Sequence, residues 1–172
     1  FYLVTYKTMS GINKGIRDHL NVIEDITAHR PSGRALNKRI WGPWTAPLAP
    51  ATYRFVMESV GPDTFHYLLM GKPKGASDKA YITVFSGTIK RGVLPQRGAG
   101  TFLLNFDNAR KLEPFQKNTG KAHVVYDNRG RTVKISVTIR GSKNRPSDAN
   151  YHYHLDRQGM GEFRSAVLTD ID

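Results

Sequence analysis

The clearest pattern of hydrophobic and polar positions in this chain lies in the run Arg131–Arg140. Aliphatic β-branched residues occupy every second position from Val133 to Ile139, and polar residues occupy the positions between them. A period of two is typical of a strand that has one face in the core and the other in solvent. The run therefore predicts a strand of a sheet with one dry face and one wet face.

Seven other runs after Pro50 have a similar character, and turn-forming residues separate them. The eight predicted strands are Thr52–Val60, Thr64–Met70, Lys79–Lys90, Gly100–Asp107, Lys121–Asp127, Arg131–Arg140, Asn150–Arg157 and Glu162–Thr169. A short helix, Ala109–Glu113, is predicted after the capping pair Asp107-Asn108. Because consecutive strands joined by short links pair antiparallel, we expect a mainly β meander. It either closes into a β-barrel or stays an open, curved half-barrel.

The first 29 residues have a helical pattern instead. Apolar residues recur there at spacings of three and four, which is typical of an amphipathic helix. The residues of this stripe are Met9, Ile12, Ile16, Leu20, Ile23 and Ile26. A helix of this length would extend for about 40 Å, and its stripe must be covered. We expect it to pack on the sheet, and the alternative is a coiled-coil contact with another protein subunit.

Residues 30–50 are predicted to form a connector between the helix and the sheet. Its Trp41-Gly-Pro-Trp44 segment opens a stretch with three prolines in eight residues, which forbids a helix and disfavours an inner strand. Both tryptophans of the chain lie there. Paired tryptophans beside a proline can stack on a sugar or a base, or they can close one end of a hydrophobic core. We favour the aromatic plug.

The composition indicates one domain over 1–172, with the helix at 1–29, the connector at 30–50 and the strands at 51–172. Hydrophobic residues make up 39% of the chain, and no apolar run approaches the roughly 18 residues of a membrane-spanning helix. We therefore expect a protein that does not span a membrane. Cysteine is absent, which excludes disulfides and thiolate chemistry.

The charge of the chain indicates a second kind of partner. Lys and Arg number 26 against 14 Asp and Glu, which gives a formal net charge of +12. A field of this sign attracts nucleic acid, anionic lipid or acidic polysaccharide. Two basic residues lie on the wet face of the central strand, and three more lie near its ends. The candidate polyanion-binding residues are Lys134, Arg140, Arg131, Arg129 and Lys90.

Motifs that would carry a reaction are not recognised. His152 and His154 project from one face of a predicted strand, but a metal site needs three or four ligands, and nothing in the spacing brings others to them. Asp156 to Glu162 has too few carboxylates for a calcium loop. No serine stands in a nucleophile elbow. We therefore predict no catalytic residues, no metal and no cofactor, and a protein that is not an enzyme.

Four segments carry a family resemblance: Ile40-Trp-Gly-Pro-Trp44, Ala51–Phe55, Gly100–Arg110 and Tyr151–His154. Together with the preceding amphipathic helix, they are similar to a group of bacterial secreted lipoproteins with no assigned activity. The resemblance implies export to the periplasm, the cell surface or the medium. It implies a signal peptide upstream of Phe1 and, as one alternative, a lipid-bearing cysteine there, which this sequence does not contain.

These observations predict a non-enzymatic, exported protein that binds an apolar or amphiphilic ligand within its curved sheet. The first alternative is a structural or assembly component of a surface complex. The second alternative is polyanion binding through the basic surface. An interior filled by side chains or by the helix would argue against an enclosed ligand.

Overall fold

The computed structural model describes residues 2–93, 97–115, 117–130, 132–141 and 148–168. Ten strands form one sheet, and every neighbouring pair is antiparallel. The strands are β1 (Gly33–Arg34), β2 (Lys38–Trp44), β3 (Ala51–Gly61), β4 (Thr64–Pro73), β5 (Ile82–Arg91), β6 (Gly98–Asn105), β7 (Lys121–Asp127), β8 (Val133–Arg140), β9 (Asp148–Leu155) and β10 (Gly161–Leu168). Their order in the sheet is their order in the chain, so the predicted antiparallel meander is confirmed.

The sheet is open. β1 and β10 lie at its two ends, and no pairing joins them within the described residues. The closed-barrel alternative is therefore wrong. Closure would need the first and last strands to exchange hydrogen bonds, and β1, which has only two residues, offers almost no edge for that exchange.

The connector contains strands that the sequence did not predict. β2 runs through Trp41-Gly-Pro-Trp44 and pairs with β3. The pairing register shifts between Trp41 and Trp44, so Pro43 falls in an irregularity where its missing N–H breaks no ladder hydrogen bond. The prolines were predicted to disfavour an inner strand, and they do not prevent a strand close to the edge of the sheet. The other edge of β2 is covered only at Arg39 and Ile40, by β1.

Helix α1 spans Tyr2–Ala28 and approaches the sheet with its last turns. Ile23 is buried there, and Leu20 and Ile26 are half-buried. Three residues of the predicted stripe lie outside the described side chains: Met9, Ile12 and Ile16. A long helix packed on the sheet is therefore supported only from residue 17 onward. Among the described residues, no helix has the length and hydrophobicity that a bilayer crossing requires.

One face of the sheet, which we call the inner face, carries the hydrophobic core beneath α1. Ile23 of the helix belongs to the same cluster as the buried aromatic rings of the sheet. The buried sheet residues of this cluster are Trp41, Phe55, Tyr67, Leu69, Phe85, Phe102, Val124 and Val137. Alternate positions of the strands therefore supply the core, as the period-two pattern predicts.

A second helix, α2 (Phe106–Leu112), starts three residues earlier than predicted. The N-cap is Asn105, whose side-chain oxygen accepts a hydrogen bond from the backbone N–H of Asn108 at 3.0 Å. Asp107, a predicted cap, instead accepts a hydrogen bond from the N–H of Gly120. Leu112 at the end of α2 is buried beside Gly71, where a side chain would collide with it.

Candidate functional site

An open cleft of about 490 Å³ lies at one end of the inner face, beside α1. Five elements or their connecting loops contribute to it, and most of its surface is apolar. The apolar side chains that line it are Leu20, Ile89, Val93, Tyr126, Val133 and Ile135. Because the centre of the inner face is filled by the core cluster, within the described residues the dry face of the sheet is accessible beside the helix only near its ends, and this cleft is one such place.

A glycine in the middle of the sheet makes room for the ring of Tyr126 at the cleft. The register aligns Ile89 of β5, Gly100 of β6, Tyr126 of β7 and Ile135 of β8 in one row. Gly100 has no side chain, and a Cβ at this position would lie 2.9 Å from the hydroxyl of Tyr126. The ring of Tyr126 therefore lies across the glycine and forms the floor of the cleft, while the two isoleucines form its sides.

Basic residues stand at the rim of this cleft. The guanidinium of Arg91 lies 4.9 Å from the ring centroid of Phe65, and Arg97 donates hydrogen bonds to the carbonyl oxygens of Asn128 and Gly130. Lys134 is the third cation in the lining. None of these three cations forms an ion pair with a carboxylate in the described part of the chain. The positive charge of Arg91 and Arg97 is therefore not offset by an ion pair within the described residues.

The one carboxylate in the lining is already engaged. Asp127 pairs with Arg129, whose Nη2 lies 2.6 Å from Oδ2 of the aspartate. Hydrogen bonds from Arg129 hold the pKa of Asp127 below its usual value. Asp127 is therefore ionised at neutral pH, and its charge is offset mainly by Arg129, with a smaller contribution from Lys134 on the neighbouring strand.

Neutral aromatic groups continue from the floor of the cleft into the core. Burial raises the pKa of Tyr126 to about 12 and that of Tyr67 further. The hydroxyl of Tyr67 lies 3.2 Å from Nε2 of His19, and burial lowers the pKa of His19 to about 4. All three groups are uncharged at pH 7, so the cleft combines an apolar, neutral base with a cationic rim.

The predicted aromatic pair separates into one buried and one accessible ring. Trp41 is 7% exposed, and its Nε1–H donates a hydrogen bond to the carbonyl oxygen of His29 at 2.8 Å. Trp44 is half-buried and packs against Tyr53, with the ring centroids 6.2 Å apart. Both rings border a second cleft of about 510 Å³ beside the end of α1. Trp41 thus packs as a plug residue would, whereas only Trp44 offers a face for stacking.

The structure brings Arg129 and Lys134 to the same carboxylate, Asp127, and disperses the other described candidates for polyanion binding. Arg129 pairs with Asp127, and Arg140 lies 3.9 Å from Asp148. Lys90 and Lys134 lie in one row on the outer face of the sheet, which is the face opposite the core. Three strand spacings of about 4.8 Å separate them. Arg131 lies outside the described residues. Only Lys134 contributes to the cleft.

The candidate metal ligands are also dispersed. His152 and His154 are exposed on the outer face of β9, where Arg164 and Glu162 of β10 stand opposite them. Within the described residues, no group of three or more histidines and carboxylates is placed to hold a metal ion.

Sequence reasoning missed the cleft and the buried histidine for different reasons. The cleft depends on residues from distant parts of the chain, which only the sheet register aligns. The burial of His19 could have been predicted, since it lies four positions before Ile23 and three after Ile16 and therefore belongs to the apolar stripe.

No protein-family model matches the chain, and no curated protein or solved structure is significantly similar to it.

Proposed function

We propose that this protein is a non-enzymatic, exported binding protein for an anionic amphiphile. The acyl chain lies in the cleft between α1 and the row that runs from Ile89 to Tyr126 and Ile135, and the headgroup lies against Arg91 and Arg97, with Lys134 of the outer face at the edge of the lining. The observation that carries the proposal is the junction of an accessible apolar cleft with two arginines, Arg91 and Arg97, that form no ion pair with a carboxylate among the described residues.

The volume and lining of the cleft support this assignment. About 490 Å³ is within the range of small-molecule sites, which are mostly apolar with a few polar groups that set orientation. An apolar chain placed there would release water from Leu20, Ile89 and Ile135 and gain about 25 cal/mol for each Å² that it covers. The filled centre of the inner face argues against a ligand enclosed deeper in the fold.

The headgroup is expected to be a carboxylate, sulfate or phosphate. Arginine binds these groups with two parallel hydrogen bonds, and such charge-assisted bonds are about twice as strong as neutral ones. Arg91 is the better anchor, because Arg97 already donates to two backbone carbonyls. A neutral headgroup would leave the arginines at the rim without an anionic partner.

Calorimetric titration with dodecanoate, and with dodecyl maltoside as the neutral counterpart, tests the proposal. We expect dodecanoate to bind with a stoichiometry of one and the maltoside to bind roughly tenfold more weakly or not at all. Leu20→Trp should weaken both ligands by filling the cleft. Arg91→Glu should weaken only dodecanoate.

Lys121→Glu is the matched control for the change of charge, because Lys121 is exposed on β7 and does not line the cleft. It should leave dodecanoate binding unchanged. Failure of the wild-type protein to bind either ligand, or equal binding by all three variants, would reject the proposed site.

A further inference from the structure

The two edges of the sheet differ in how they are protected. At one end, the two residues of β1 and the irregularity at Pro43 interrupt the exposed edge. At the other end, β10 pairs with β9 in continuous register over Gly161–Leu168, and no described strand covers its outer edge. β10 contains no proline, no lysine and no bulge, and its two charged residues, Glu162 and Arg164, have opposite signs and pair with each other.

We propose that β10 is a homodimerisation strand, which pairs antiparallel with β10 of a second copy around a two-fold axis at Phe163. The two sheets then become one continuous sheet of twenty strands. The assignment rests on the edge itself and is independent of the amphiphile site, which lies among β5–β8 and α1.

The charges of β10 are self-complementary in this register. Glu162 and Arg164 flank Phe163 on the outer face, with their side chains 56% and 76% exposed. With Phe163 on the axis, Glu162 of each copy lies opposite Arg164 of the other. Directly opposite charges of unlike sign stabilise an antiparallel pair. The ion pair within each strand, at 2.5 Å, then becomes part of a ring of four alternating charges.

The apolar residues are complementary in the same register. Phe163 faces its own copy on the inner face, next to Tyr151, on which it already stacks with ring centroids 6.1 Å apart. The pairing therefore joins the aromatic rows of the two copies. On the outer face, Met160, which is 72% exposed, comes opposite Ala166 of the second copy. Paired aromatic residues across strands are among the stronger cross-strand contacts.

A competing register, with the axis at Ser165, pairs more residues of β10, 162–168 instead of 161–165, but brings no complementary charges together. It would place Arg164 opposite Ala166 and Phe163 opposite Val167. Only the axis at Phe163 satisfies both opposite charges of the strand, which is why we favour it. The two registers predict different residues on the axis, so they can be distinguished by cross-linking.

Single-cysteine variants test the register, because the chain contains no cysteine of its own. On the axis, two Cα atoms lie about 4.5–5.5 Å apart, which a disulfide can span. We expect Phe163→Cys to form a covalent dimer under mild oxidation. Ser165→Cys should not, because its copies would lie four residues apart along the paired strands, about 13 Å. A covalent dimer of Ser165→Cys alone, or of neither variant, would overturn the proposal.

A charge exchange tests the interface without cysteines. Sedimentation equilibrium should show a concentration-dependent dimer of the wild-type chain, which Arg164→Glu weakens by roughly tenfold or more by placing like charges opposite each other. The double variant with Glu162→Arg and Arg164→Glu should restore it. Lys121→Glu, on β7, should leave it unchanged. A strictly monomeric wild-type chain, or single and double variants of equal affinity, would contradict the pairing.

Discussion

At the scale of single residues, His19 places an ionisable ring among aromatic side chains. It stacks on Phe102 with ring centroids 4.2 Å apart, meets Phe85 edge-on at 4.5 Å, and shares a hydrogen bond with Tyr67. A charged imidazole would lose its hydration here without gaining a carboxylate. Burial therefore keeps the ring neutral and lowers its pKa to about 4.

This burial makes the stability of the protein depend on pH. As the pH falls below the unfolded pKa of about 6.5, the unfolded chain binds a proton at His19 that the folded chain binds only near pH 4. The contribution of His19 should lower the free energy of unfolding by about 3 kcal/mol between pH 7 and pH 4. Denaturant unfolding of the wild type and of His19→Gln at both pH values measures it.

The variant should lose this part of the pH dependence, so its stability relative to the wild type should improve as the pH falls. His66→Gln serves as the control, because His66 is exposed on β4 and should keep the wild-type dependence. An unchanged difference between wild type and His19→Gln at the two pH values would show that the ring titrates normally.

A glycine next to this cluster is equally constrained. A Cβ at Gly87 would overlap the hydroxyl of Tyr67 and the carbonyl oxygen of Thr101. Because backbone cannot move aside cheaply, we expect Gly87→Ala to destabilise the fold by about 2 kcal/mol. Gly61→Ala, where no atom lies within 4 Å of the added Cβ, should be nearly neutral. Thermal unfolding of both variants measures this difference in stability. Equal unfolding midpoints for the two variants would contradict the packing of Tyr67 over Gly87.

At the scale of elements, the connector shows how a proline-rich segment joins a sheet. Trp41 in β2 packs on Phe55 of β3, with ring centroids 5.7 Å apart, and its indole N–H donates to the end of the α1 segment at His29. One side chain therefore holds the second strand, the third strand and the residue that follows the helix. Trp44, beyond the irregularity at Pro43, contributes less because it is only half-buried.

We therefore expect Trp41→Phe to cost about 2 kcal/mol, from lost volume and an unpaired carbonyl, and Trp44→Phe less than about 1 kcal/mol. Chemical denaturation measures both. Tryptophan fluorescence adds a second readout, since each variant leaves one indole. The emission of Trp44→Phe, which retains the buried Trp41, should lie at shorter wavelength. Equal costs for the two variants would contradict their different burial.

Much of the element pattern was predictable, for a physical reason. From β3 onward, one face is dry and the other is wet, so alternation marks Val133–Arg140 and its neighbours directly. The predicted strand boundaries are wrong where local contacts determine the position at which a strand begins. A 3₁₀ turn at Asp78–Ala80 delays β5, because Arg54 and Lys72 bind Asp78. The site was less predictable, since its residues meet only through the register of four strands.

At the scale of the whole molecule, the chain has a net charge of +12, but the candidate polyanion-binding residues that the structure describes do not form a single basic patch. Arg129 and Arg140 have acidic partners, and Lys90 and Lys134 are separated by three strand spacings. The charge therefore acts as a general field. Such a field attracts polyanions without orienting them, and salt screens it.

Binding to heparin should consequently fall steeply with salt and should not depend on any one of the predicted residues. We expect Lys134→Glu, Lys90→Glu and the control Lys121→Glu to shift the eluting salt concentration on a heparin column by similar amounts. A much larger shift for Lys134→Glu and Lys90→Glu would show that these two lysines belong to a defined polyanion site.

The sheet order, identical to the chain order, has a consequence for how the molecule opens. Each strand pairs only with the strands before and after it in the chain. The cooperativity of unfolding should therefore decline toward the terminal hairpin β9–β10, which has a neighbouring strand on one side only. In the monomer, amide hydrogen exchange should then be graded: slowest in β4–β6 beneath His19 and progressively faster through β8, β9 and β10. The outermost hairpin would detach transiently while the centre stays folded, and such fraying leaves a meander able to shed or accept strands at one end.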